Sequence, residues 1–245
     1  MIEPQRTQSQ DAESAEKIWP GTRLLTPNFP LLCALRVFSL RPLRFIPSRD
    51  SLGRMPADFQ SGDALLVVDV QNDFCPAGAL AVRGGDEVVP VLNRWIGKAR
   101  QAGIPIFASR DWHPPGHPSF KERGGPWPAH CVQGTPGAEF HPALELPTQS
   151  KVISKATALD KDAYSAFEGT DLEQQLRQAG VGRIWIGGLT LDYCVKYSTL
   201  DALKAGFEVR VILAATRAVN LEPDDGSKAL KEILSAGAAL QEGAA

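Results

Sequence analysis

An alternation that starts at Ala64 and runs almost to the end of the chain limits the fold more than any other feature. Short β-branched runs trade places with longer amphipathic ones: Ala64–Val70 then Glu87–Ala102, Pro105–Ser109, Lys151–Ser154 then Asp171–Ala179, Arg183–Gly187 then Asp192–Ala205, Glu208–Leu213 then Asp224–Ala236, and last Ala238–Gln241. Strands of that length separated by helices predict crossover units and an α/β fold on a mostly parallel sheet. The strand segments LLVVDV, RIWIGG and EVRVIL are nearly continuous apolar runs, as expected when helices cover both faces. Gly103, Gly180, Gly206 and Gly237 each follow an apolar-periodic stretch, where a left-handed residue ends a helix. No GxGxxG follows the first strand, so a dinucleotide site is unsupported.

Residues 1–54 do not share this pattern. They hold six prolines and 8 basic against 5 acidic residues, and no helix or strand period persists in them. The half from Arg23 onward is Arg-rich like a transit peptide, but the first sixteen residues carry four acids and one base, the wrong sign for one. We read 1–54 as a poorly ordered extension or an upstream translation, and 55–245 as one catalytic domain with Met55 a plausible start. The whole chain balances 26 basic against 28 acidic residues, which argues against a nucleic-acid partner. Its apolar runs are too short to span a membrane. Four cysteines (Cys33, Cys75, Cys131, Cys194) without CxxC spacing form neither a disulfide framework nor a zinc-finger site. The expectation is a soluble cytoplasmic protein.

Ligands in open α/β sheets bind beyond the carboxyl ends of the strands. Three polar residues stand there: Asp69 in LLVVDVQNDF, Lys155 in VISKAT, and Cys194 in the first turn after RIWIGG. Singly, each has a plainer explanation: a turn cap, a solvated charge, a small buried hydrophobe. Together they make a coherent set. A helix N-terminus and a Lys⁺ both favour thiolate, and a carboxylate can take the thiol proton.

All four histidines fall between His113 and His141, and the first three lie in a long Pro/Gly-rich loop directly after the strand Pro105–Ser109. Asp111 and His113 stand two apart, on one face of an extended segment, and His130 could return a third ligand. One carboxylate and two imidazoles suit a divalent transition metal; the alternative is a loop whose histidines only hydrogen-bond. His117 is a candidate fourth ligand, while His141 looks structural. Phe74, Trp127 and Tyr164 are candidates for the walls of a flat aromatic pocket, or for core.

Four segments carry a resemblance: DVQNDFCPAGAL, SRDWHPPGHPSFKERGGPWPAHCVQGTPGAEFHP, KATALDKDAYSAFEGTDL and LTLDYCVKYSTLDALKAGFEV. In this order they resemble the nicotinamidases of the isochorismatase-like cysteine hydrolase superfamily, from Ala64 to the C-terminus. The resemblance implies a three-layer αβα sandwich with a central, mostly parallel sheet of about six strands. It implies Asp69 as base and proton shuttle, Lys155 as the group favouring charged intermediates, and Cys194 as nucleophile. Asp111, His113 and His130 would hold one divalent ion (zinc, iron or manganese). The backbone amides of Thr190 and Cys194 would form an oxyanion hole beside a cis Leu189–Thr190 peptide, with Leu189 in the substrate pocket. Relatives usually carry a small residue followed by Thr where this chain has Thr190–Leu191. The implied reaction is hydrolysis of nicotinamide to nicotinate and ammonia in NAD salvage, with pyrazinamide as a further substrate and a homo-oligomer left open. An isochorismatase or another small amide hydrolase is the alternative.

Overall fold

The computed structural model describes residues 58–242, so the extension 1–54, Cys33 and the start at Met55 lie outside the described residues. Six strands form one parallel sheet: β1 (Asp63–Val68), β2 (Ile106–Asp111), β3 (Lys151–Lys155), β4 (Arg183–Leu189), β5 (Glu208–Arg217) and β6 (Ala239–Gln241), in the order β3-β2-β1-β4-β5-β6. Four helices connect them: α1 (Val88–Ala102), α2 (Leu172–Gln178), α3 (Lys196–Lys204) and α4 (Asp225–Ser235).

The three layers follow from the strand pleat, which sends successive side chains to opposite faces. Along β1, Leu65 and Val67 pack with Leu92, Trp95 and Ile96 of α1. Ala64, Leu66 and Val68 pack on the other face with Leu172 and Leu176 of α2, Ala202 of α3, and Ala229 and Ile233 of α4. Every residue of β1 is buried, which is why its sequence shows no alternation. The four anticipated helix stops hold: Gly103, Gly180, Gly206 and Gly237 have φ of 67°, 69°, 86° and 107°. The Gly103 N–H returns to the carbonyls of Ala99 and Arg100, closing α1.

Two boundaries differ from expectation. The segment foreseen as one helix from Asp192 begins with a single π turn, Leu191–Val195, before α3. Strand β5 continues past Leu213 to Arg217, because its small residues bulge and then pair again, Thr216 with Gly188 and Arg217 with Leu189. Among the described residues no helix is long and apolar enough to cross a membrane. Strand order reverses at β1 and β4, which places a crevice beyond their carboxyl ends.

Candidate active site

Strand β1 stops because Asp69 takes φ +48°, the left-handed region that Asp tolerates better than most side chains. The turn carries its carboxyl into the crevice, where the Ser109 hydroxyl donates to Oδ1 at 2.7 Å. Burial raises the Asp69 pKa; Lys155 pulls against this, and the charge of Asp111 adds to it.

Lys155 ends β3, which is separated from β1 by the whole of β2. Its long side chain bridges that gap. Its Nζ lies 3.0 Å from Asp69 Oδ2 and 3.4 Å from Cys194 Sγ, and it donates to Asp111 Oδ1 and to the Ala163 carbonyl. Burial alone would drive its proton off, but the carboxylates of Asp111 and Asp69 outweigh that and hold the ammonium well above the ordinary lysine range. It is a permanent cation shared among three partners.

Cys194 sits in the π turn, a helical irregularity that recurs at functional sites. The N–H groups of Tyr193 and Val195 return to the Thr190 carbonyl at 3.2 and 3.0 Å, and the Leu189–Thr190 peptide is cis. The Thr190 N–H donates to no acceptor among the described residues. Burial pushes the Cys194 thiol well above the ordinary cysteine range despite Lys155. The sequence suggested that the helix end and the lysine would stabilise thiolate. Burial prevails instead, so the resting group is a neutral thiol that needs a base. A carboxylate oxygen of Asp69, one of Asp111 and the Cys194 sulfur all lie within 4.8 Å of one another.

The histidine loop returns to the same crevice. One donor atom each from Asp111, His113 and His130 falls within 4.8 Å of the others. Their tautomers are fixed from behind: His113 Nδ1 donates to the His130 carbonyl at 3.1 Å, and His130 Nδ1 to the Pro128 carbonyl at 2.8 Å. Each ring therefore presents Nε2 to the crevice, the orientation in which histidine ligands are usually held, and His113 Nε2 lies 3.9 Å from Asp162 Oδ1. Burial holds His130 below the ordinary imidazole range; burial would raise the Asp111 carboxyl, but Lys155 outweighs it and keeps Asp111 ionised. A carboxylate and two imidazoles, all buried, fit a divalent metal ion.

His117 stands apart from that set. Its Nε2 donates to the Lys161 carbonyl at 3.2 Å and its Nδ1 accepts from Ser119 Oγ at 2.7 Å, so neither nitrogen is free for the ion. Its donor atom groups instead with His113 and Asp162. Phe74, Trp127 and Tyr164 line a cleft together with Thr190, Tyr193 and Cys194. The Trp127 indole donates to the Tyr164 hydroxyl at 3.0 Å, tying two walls together. Leu189 does not line this cleft: the pleat of β4 turns it into the core beside α1, fully buried. Asp162 and Tyr193 line the cleft and were not singled out from sequence, although both lie inside the quoted motifs. His141 takes no part; its N–H pairs with the Val70 carbonyl.

With this geometry in hand, residues 63–244 match the isochorismatase domain family. This chain belongs to that family. An isochorismatase-family relative, the nicotinamidase of Escherichia coli, is 41% identical over 198 residues, covering 72% of this chain and 93% of the relative. The crystal structure of Pyrococcus horikoshii pyrazinamidase in complex with zinc superimposes with a TM-score of 0.70 at 51% identity, covering 73% of this chain and 98% of that one. The L. infantum protein PnC1, in complex with nicotinate, gives 0.68 at 35% identity, covering 75% and 94%.

Proposed function

We propose that this chain is a nicotinamidase that hydrolyses nicotinamide to nicotinate and ammonia through a Cys194 thioester. One observation carries the reading: a buried thiol lies 3.4 Å from an ammonium that is itself 3.0 Å from a buried carboxylate, in an aromatic cleft also edged by Asp111, His113 and His130. Its likeness to nicotinamidases and pyrazinamidases supports the substrate.

The resting thiol transfers its proton to Asp69, whose raised pKa makes it a stronger base than a solvated carboxylate. Sγ bonds to the carboxamide carbon and the carbonyl electron pair moves to oxygen. The N–H groups of Thr190 and Cys194 receive that oxyanion; losing one such donor costs ~10²–10³ in rate in other enzymes. Asp69 returns the proton to the amide nitrogen as the C–N bond breaks, releasing ammonia and leaving the thioester. Water then gives a proton to Asp69 and adds to the carbonyl. The C–S bond breaks, Asp69 returns that proton to the departing Cys194 sulfur, and the product acid loses its own proton to solvent as nicotinate. Lys155 keeps its charge throughout and stabilises each anionic form of its neighbours. A divalent ion on Asp111, His113 and His130, with zinc our first choice, would supply a Lewis-acidic anchor for the pyridine ring. Trp127 and Tyr164 flank the ring.

The same reading makes pyrazinamide a substrate and assigns catalysis to a cytoplasmic domain spanning 55–245. Ammonia release from nicotinamide, with and without chelator, tests it. We expect turnover that chelation suppresses and added divalent ion restores. No release from nicotinamide or pyrazinamide by metal-loaded protein would sink the proposal.

A further inference from the structure

We infer that Gln71, which the mechanism above does not use, is the positioning residue that holds Asp111 in place for the metal; the inference rests on the metal reading just given. Gln71 is completely buried, and its amide is almost fully engaged with main chain. Oε1 accepts the Asp111 N–H at 2.8 Å, while Nε2 donates to the Asp111 carbonyl at 2.8 Å and to the Ala138 carbonyl at 2.8 Å.

The need arises from where β1 ends. Its pairing with β2 finishes at Val68 and Ser109, two residues before Asp111. On the other side β2 stays supported, because Asp111 is in register with Lys155 and the Trp112 N–H bonds to the Lys155 carbonyl. The β1 side of Asp111 would be left with an unpaired donor and acceptor in a buried site, an arrangement proteins rarely tolerate. The Gln71 carboxamide, itself a copy of a peptide group, takes the place of the missing rung.

The two strand ends are therefore laced reciprocally. Ser109 of β2 reaches to the carboxylate of Asp69, and Gln71, two residues past Asp69, reaches back to the main chain of Asp111. The first bond serves the thiol-activating half of the site. The second serves the carboxylate that meets His130 Nε2 at 3.9 Å and pairs with Lys155. Partners behind metal ligands typically matter ~10–100-fold in metal affinity.

The test compares Gln71→Met, Gln71→Asn and Ser109→Ala with wild type in the full chain. Two quantities are read: the Zn²⁺ dissociation constant, by competition with a chelating indicator, and the alkylation rate at Cys194 in metal-free protein, by mass spectrometry. Gln71→Met should weaken Zn²⁺ by ~10–100-fold while leaving the alkylation rate within about twofold. Ser109→Ala should leave the Zn²⁺ constant within about twofold. If Gln71→Met does not fold, Gln71→Asn, which keeps the amide but shortens its reach, must show the same selective loss. Zn²⁺ affinity near wild type in a folded Gln71 variant overturns the inference, as does an equal loss in Ser109→Ala. Wild-type protein that binds no Zn²⁺ overturns the metal reading beneath it.

Discussion

Strand β1 opens on one buried carboxylate, Asp63, and gives way to another, Asp69; they are 2% and 0% exposed. At the amino end, Asp63 is closed on all sides. Arg183 grips it with Nε at 2.9 Å and Nη2 at 2.8 Å, and the Trp185 indole and Gln60 N–H donate at 2.9 and 2.8 Å. A guanidinium does not give up its proton, and the fork fixes the geometry. At the carboxyl end, Asp69 has one hydroxyl of its own and a share of Lys155, for which Asp111 and Cys194 also compete. Burial by itself is therefore not enough to make a carboxylate reactive. Reactivity comes from leaving its charge incompletely matched beside a group that can exchange a proton.

The comparison can be broken most sharply at the sulfur. Cys194→Ala should lower ammonia release from nicotinamide by at least ~10⁴-fold, as removing a nucleophile does elsewhere, with unchanged melting behaviour. Activity within tenfold of wild type would deny the carboxyl end its chemistry. At the opposite end, Asp63→Ala should cost about 3–5 kcal/mol in denaturant unfolding by orphaning Arg183, while kcat of the folded fraction stays within about twofold. A fall in kcat without a fall in stability would erase the distinction between the two ends.

A pH profile sharpens it further. Asp69 must be ionised to accept the thiol proton, and burial raises its pKa. Activity should therefore fall as pH drops through that raised value, putting the acid limb of kcat/KM above the ordinary carboxylate range. A limb within the ordinary range would count against Asp69 as base. The smallest effect is expected at the cleft wall. Trp127→Phe removes the bond to Tyr164 and should raise KM by ~2–10-fold, about 0.5–1.5 kcal/mol, with kcat nearly unchanged.

Much of this was legible in the sequence because the signals were local. Asp69 and Lys155 interrupt apolar strand runs, Cys194 follows one, and Asp111 and His113 sit two apart at a strand end. The helix stops were legible because each needs a residue tolerant of positive φ. What escaped was set by distant partners. Strand β5 passes Leu213 because Gly188 and Leu189 are there to receive it, and the run of small residues hides that pairing. Leu189 left the predicted pocket because the pleat, not proximity in sequence, decides its face. Gln71 and Asp162 carry no periodicity, and their partners lie 40 or more residues away for Gln71 and across the loop for Asp162. The protonation of Cys194 at rest depended on how completely the fold encloses it, which no local pattern records.

The strand order carries one more consequence, for the order of assembly. The sheet's central neighbours, β1 and β4, are not neighbours in the chain; β2 and β3 come between them. During synthesis, Asp69, Asp111 and Lys155 all leave the ribosome before Cys194. Contacts so distant along the chain pay their loop-closure entropy late in folding. Regained ammonia release in a refolding experiment should therefore lag regained helical signal, and catalysis becomes a clock for the final pairing of the sheet.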